Sequence, residues 1–251
     1  MRRPADVAEL KRAARALNAG MFATPGAFAA PARGNQGGVP ADLSVVVVGV
    51  AGGVGASTVS LALAESAGLE RLWDAAPTVA SGLVGVCDRE LRDTDDGWRQ
   101  GRRGGLLVQR SPLDWSCVPG QCPEPPDGGQ AVLDAGWDAL SLRGAPGWVS
   151  AALVNPSTPL VLVTRLTAPG MRRLEVALGQ LWNTSREVRV AITGSSPKHR
   201  WPREIPRPAA LTDLLEAERV AHIPEVKALA VRGLDSQPVP AAVLAAVSNL
   251  H

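Results

Sequence analysis

Short apolar runs that do not alternate with polar residues recur along the chain. Leu43 to Val48 (LSVVVV), Leu106 to Gln109, Ala131 to Asp134, Leu160 to Thr164 and Val188 to Thr193 all have this character. Continuous β-branched runs fit strands buried on both faces of a parallel sheet. Glu70 to Asp74 (ERLWD) adds a strand ending on an aspartate, and Arg219 to Ile223 adds one stopped by Pro224. Segments of helical spacing separate the runs: one after Ser57, one near Gly82 to Leu91, one over 168–182, a short one from Glu225 and a last one near Pro240 to Leu250. The pattern predicts an α/β fold, a doubly wound and mostly parallel sheet of about seven strands with helices on both faces. Residues 92–105, charged and glycine-rich, read as an exposed loop carrying Arg99, Arg102 and Arg103. Trp115 to Val118 reads as a short extra strand, followed by a Pro/Gly loop over 119–129.

The ends of the chain read differently. Val7, Leu10, Ala14, Leu17 and Met21 recur at helical spacing, so residues 1–22 carry a basic amphipathic helix over 5–20. Such a helix suits an acidic membrane, DNA, a partner groove or the surface of its own domain. Residues 23–40 (ATPGAFAAPARGNQGGVP) form a flexible Pro/Gly linker, and 41–251 form the α/β domain.

Composition narrows the classes. With 45% apolar and 20% charged residues among 251, the chain suits one globular domain with appendages. No apolar run reaches the ~18 residues of a membrane span, and no signal peptide is apparent. Three cysteines, an odd number, argue against a disulfide framework and for a reducing, cytoplasmic setting. Cys117 and Cys122 lack the second pair that a zinc site needs, and His199, His222 and His251 show no partner pattern. Cys87 reads as packing. The net charge of +2 is concentrated at the N-terminus, where Arg2, Arg3, Lys11, Arg12 and Arg15 face only Asp6 and Glu9.

The candidate chemistry lies between the first strand and the helix after it. Gly49, Gly52, Gly53 and Gly55 form a dense turn, and Ser57 and Thr58 follow it. Strand, glycine loop and helix N-terminus together make a phosphate cradle, because glycines let the backbone approach and the first helical N–H groups point at the anion. A P-loop also needs a lysine on the phosphates, a hydroxyl on Mg²⁺ and an acid at the end of a nearby strand. Ser57 supplies the hydroxyl and Asp134 the acid. The lysine position holds Ala56.

In this form, AGGVGAST over 51–58 resembles the deviant Walker A motif, KGGxGK[ST][ST], of the ParA/MinD family of SIMIBI-class partition and positioning ATPases. DAAP, Asp74 to Pro77, is similar to the family's aspartate-x-aspartate-proline motif, and Asp134 in VLDAG to its Walker B aspartate. AHIPEVKAL, Ala221 to Leu229, resembles the strand-then-proline loop that frames the adenine, which places Pro224 there. The resemblance spans about 43–250 in order. It implies a nucleotide site of Gly52, Gly53, Val54, Gly55, Ala56, Ser57, Thr58, Asp74 and Pro224, with Mg²⁺ on Ser57 and Asp134. It further implies a partner protein and, by analogy, a homodimer.

Three departures stand out. The family's cross-dimer lysine falls at Ala51, its P-loop lysine at Ala56, and its water-placing aspartate at Ala76. Each charge-assisted contact contributes about 1.5–3 kcal/mol, so two losses weaken ATP or ADP binding by roughly 10²- to 10⁴-fold. Hydrolysis loses more, since one transition-state donor alone is worth about 10²–10³ in rate. The expectation is a degenerate, weakly binding pseudo-ATPase with no efficient turnover, acting through a partner in partition, DNA transfer or positioning.

Two other readings stand beside it. Gly49, Gly53 and Gly55 also satisfy GxxxGxG, with Asp74 where a ribose-binding acid belongs. The chain has no tyrosine, which excludes the YxxxK reductases and leaves a non-catalytic dinucleotide binder. The other alternative is a pure interaction scaffold, with Trp98 and Trp201 as exposed contacts. Arg99, Arg102, Arg103, Arg172, Arg173, Arg200 and Arg203 would then form patches for nonspecific DNA. The C-terminal helix is too alanine-rich and uncharged to target a membrane.

Overall fold

The computed structural model describes residues 39–112, 122–123, 129–143, 145, 147–181, 187–195 and 201–250. The N-terminal helix, the linker as far as residue 38, the strand expected at Trp115 to Val118, and Cys117, His199 and Arg200 lie outside the described residues.

Among the described residues, nine strands form one sheet rather than about seven. They are β1 (Leu43–Gly49), β2 (Arg71–Asp74), β3 (Arg89–Glu90), β4 (Arg99–Arg103), β5 (Leu106–Arg110), β6 (Ala131–Asp138), β7 (Leu160–Arg165), β8 (Val188–Thr193) and β9 (Val220–Ile223). Their order is β3-β4-β5-β2-β6-β1-β7-β8-β9. From β5 to β9 every neighbouring pair is parallel, while β3, β4 and β5 pair antiparallel. The helices are α1 (Ala56–Ser66), α2 (Ala139–Leu142), α3 (Trp148–Val154), α4 (Ala168–Leu181), α5 (Ala209–Glu216), α6 (Lys227–Arg232) and α7 (Ala241–Ala246).

The valines of β1 explain why the run does not alternate. Val46 and Val48 enter a core shared with Trp73, Leu133, Leu162, Trp148 and Met171. Val45 and Val47 enter the opposite core with Leu61, Leu63, Val132, Val161 and Val243. Both faces are therefore covered, and all four valines are essentially inaccessible. Trp73 and Trp148 meet edge to face at 5.9 Å, with Trp98 tilted against Trp148 at 6.5 Å. Trp98 is thus core, not the exposed contact that its charged neighbourhood suggests.

The two unexpected strands correct the reading of residues 82–105. The helix expected near Gly82 to Leu91 is absent, and turns followed by β3 take its place. The carbonyl of Val84 accepts from Arg110 Nη1 at 2.7 Å, and that of Val86 from Arg103 Nη1 at 3.0 Å. Arginines from other strands satisfy the carbonyls that a helix would bond internally. The loop expected at 92–105 contains β4, hairpinned to β5 through Gly104 and Gly105. Arg99 and Arg102 point outward, as expected, whereas Arg103 is buried. Its guanidinium pairs with Glu65 at the end of α1 and donates to the carbonyls of Asp235 (2.7 Å) and Gln237 (2.8 Å).

Candidate functional site

β1 ends at Gly49 and α1 begins at Ala56, so six residues turn the chain through nearly a reversal. Gly53 and Gly55 sit at φ 72° and 91°, in the left-handed region that a side chain disfavours. A Cβ on Gly49 would meet Ala51 O and Val54 Cγ2 at 2.9 Å, so the turn is also close-packed. Thr193 Oγ1 donates to Val54 O at 2.8 Å and pins the loop to the end of β8. The first intrahelical bond runs from Val59 N–H to Gly55 O, and no side chain caps the helix. The N–H groups of residues 56–58 are left without intrahelical acceptors, as an anion site requires.

The loop opens on a cleft of about 540 Å³. Gly52 to Thr58 line it from one side, Ser81, Gly82, Val84 and Gly85 from another, and Asp134, Gly136, Trp137 and Asp138 from a third. The structure thus brings Gly52, Gly53, Val54, Gly55, Ala56, Ser57, Thr58 and Asp134 together. Asp74 lies beside Asp134 in the next strand, in register, but fully buried behind the cleft wall. Pro224 does not line this cleft; it lines a separate groove along β9 with Ser195 and His222. Gly233 and Leu234, further along the chain, close the cleft instead.

The two aspartates form a buried pair. Asp74 accepts from Ser81 Oγ–H and from Ala76 N–H at 2.9 Å. Asp134 accepts from Gly136 N–H at 3.3 Å through Oδ1, while its Oδ2, buried in the structure, has no partner. Burial, then repulsion from Asp134, pushes Asp74 up to about 7. Burial pushes Asp134 up to about 6, with the nearby Ser57 hydroxyl and the Gly136 N–H acting in the other direction. The two titrate as a unit. Burial is the main cause for both, and the charge of Arg110 offsets only part of it at Asp74.

Residues that the sequence did not mark complete the wall. Ser81 holds Asp74, and Gly82 backs onto Ser57, where a Cβ would approach Ser57 Cβ to 2.9 Å. Trp137 donates from Nε1 to Ala75 O at 3.1 Å, and Asp138 caps α2 through Leu140 N and Ser141 N. Gly136, at φ 68°, lies directly on Ala76, and an added Cβ would overlap the Ala76 backbone. Gly136→Ala is therefore expected to destabilise the fold by about 2–4 kcal/mol, from overpacking and left-handed strain together. Urea unfolding at unchanged m checks this; a loss below about 1 kcal/mol would show that the β6 end moves freely off Ala76.

The site fits a metal that arrives with phosphate. Ser57 and the Asp134 carboxylate are the residues that would offer it oxygen donors. No group of three or more His, Cys, Asp or Glu able to hold a metal alone occurs among the described residues. The dinucleotide alternative fits poorly. β6 stands between β1 and β2, unlike the Rossmann order, and Asp74 has no face open to a ribose. Of the other candidate contacts, Trp201 is half-buried under Arg207, 4.8 Å from its ring centre, and Arg172, Arg173 and Arg203 are exposed. No helix among the described residues is long and apolar enough to cross a membrane.

No protein-family model matches the chain, and no curated protein matches it in sequence. Solved structures do match. The MinD cell division protein of Aquifex aeolicus superposes with a TM-score of 0.55 at 16% identity, over 84% of this chain and 95% of that one. The MinC:MinD complex from the same organism gives 0.51 at 17%, over 76% and 84%. The septum site-determining protein MinD of Pyrococcus horikoshii, solved with Mg-ADP, gives 0.51 at 20%, over 83% and 93%. The fold is the ParA/MinD-type P-loop ATPase fold.

Proposed function

We propose that the chain is a degenerate nucleotide-binding protein of the partition and positioning type, one that binds Mg²⁺–ADP or Mg²⁺–ATP weakly, does not hydrolyse efficiently, and works through a partner protein. The observation that carries this reading is the cleft itself. The glycine cradle, Ser57 and the paired Asp74 and Asp134 are assembled, while Ala51, Ala56 and Ala76 line the same space. Gly53 and Gly55, both left-handed, shape the loop around an open cleft, as a phosphate cradle needs. The Mg-ADP and MinC bound to its structural neighbours point the same way.

Isothermal titration with ATP, ADP and Mg²⁺, paired with a phosphate-release assay, tests it. Expected are dissociation constants in the submillimolar range or weaker, following the two missing charge-assisted contacts, and no release above background. Steady turnover that disappears in Ser57→Ala or Asp134→Ala would sink the non-hydrolysing reading.

A further inference from the structure

Among the described residues β9 is the last strand of the sheet, and its pairing with β8 fixes which of its backbone groups point away. Val190 N–H donates to Arg219 O at 2.9 Å, and Ser195 N–H to Ile223 O at 3.2 Å. Successive residues of a strand in a parallel ladder face opposite neighbours. Glu218, Val220 and His222 therefore turn their N–H and C=O groups toward the outer edge. A groove of about 770 Å³ runs along that edge, and Ala242, Ala245 and Ala246 of α7 form its far side. Asn249 already shows what the edge takes. Its Nδ2 amide donates to Val220 O at 3.3 Å and to Glu218 O at 3.5 Å, two long bonds from one side chain. A strand edge of this kind accepts another strand.

We propose that this edge receives a second copy of the chain, β9 pairing antiparallel with β9 across a two-fold axis at Ala221. The interface is independent of what the glycine loop binds. Val220 and His222 flank Ala221, so the axis sets Val220 of each copy opposite His222 of the other. Each such pair exchanges both of its backbone hydrogen bonds, and the two sheets become one. Charge selects this occupant. Arg219 is exposed just before β9, and Glu225 is exposed just after it, bridged to Arg165 at 3.0 Å in a surface pair that yields readily. Antiparallel pairing at Ala221 brings Arg219 of one copy diagonally across from Glu225 of the other, and the two-fold repeats the contact. The alanines supply the second contact. The two α7 helices lie on the same face of the joined sheet, and methyl groups let them close up across the axis. Pairing of so short a strand falls well below the ~1,200 Å² of a stable interface, so the helices are needed and the dimer is reversible.

Sedimentation of the full chain without nucleotide, from about 1 to 100 μM, tests the interface. The expected result is a monomer–dimer equilibrium within that range. Arg219→Glu alone and Glu225→Arg alone should each weaken it roughly tenfold, because two attractions become two repulsions. The double variant restores opposite signs and should regain wild-type association within about threefold. Ala245→Arg, at an exposed position of α7, should give a monomer with an unchanged far-UV circular dichroism spectrum. Hydrogen exchange should show protection of the Val220 and His222 amides that rises with protein concentration. A monomer throughout overturns the proposal and leaves the edge to a strand of a different protein. Self-association that neither single reversal weakens overturns it, as does weakening that the double variant fails to rescue. Association that appears only with Mg²⁺–ATP also overturns it, and would place the contact at the glycine-loop cleft instead.

Discussion

Ala56→Lys is expected to tighten Mg²⁺–ADP binding by roughly 10- to 150-fold, the equivalent of one charge-assisted phosphate contact of about 1.5–3 kcal/mol. Residue 56 is the first of α1, partly exposed, and lines the cleft, so a longer side chain there has room to extend. Asp134 would meanwhile gain a counter-charge. Ala56→Met, which adds comparable length without charge, should leave affinity within about twofold. Calorimetric titration of the three proteins provides the measurement. If the lysine variant folds normally and binds no tighter, the glycine cradle is not a phosphate site, and its geometry needs another explanation.

Asp74→Asn is expected to stabilise the protein at pH 8 by about 1–3 kcal/mol, with a gain that vanishes near pH 4. The folded protein holds both aspartates above their ordinary 3.8, at about 7 and about 6, so it binds more protons than the unfolded chain between those limits. Stability from this pair is therefore retained below about pH 4 and lost as pH rises toward 7. Asparagine keeps an acceptor for Ala76 N–H and turns its NH₂ toward Ser81 Oγ, which can accept, while removing one of two facing charges. His222 has the opposite sign: burial, then Arg207, lowers it, so its contribution weakens as pH falls below 6.5. The variant-minus-wild-type difference across pH 4–8 isolates the aspartates, since His222 is common to both. A flat difference curve would mean that the pair does not ionise against burial. Stabilisation by removing a site residue is what a functional cleft maintained at a cost to the fold predicts.

How far each part could be read from the sequence follows from where its determinants lie. β1 and the glycine loop were legible because their constraints are local: apolar side chains on both faces, and glycines at left-handed positions. The strand-end aspartates were legible for the same reason, each closing an apolar run. β4 was not, because RQGRR has no apolar pattern; it is a strand by virtue of pairing with β5 and of a buried Arg103. Trp98 looked exposed among charges and is covered by Trp148, a residue 50 positions away. Within the cleft, Ser81, Trp137 and Leu234 carry no sequence signal, since only the tertiary path of the chain brings them to Ser57 and Asp134. Pro224 was placed by resemblance, and the residues that close the cleft lie about one helix further on.

Arg103 joins β4 to Asp235 and Gln237, 132 and 134 positions downstream. On the ribosome, β1, the glycine loop and both aspartates emerge well before those acceptors. Until then the guanidinium lacks two of its partners, and the wall at Leu234 does not exist. The residues of the cradle are thus synthesised early and those of its far wall late. The far wall therefore depends on the last part of the sheet domain to be made: a chain cut before Asp235 would leave Arg103 short of two acceptors and Leu234 untethered beside the cleft.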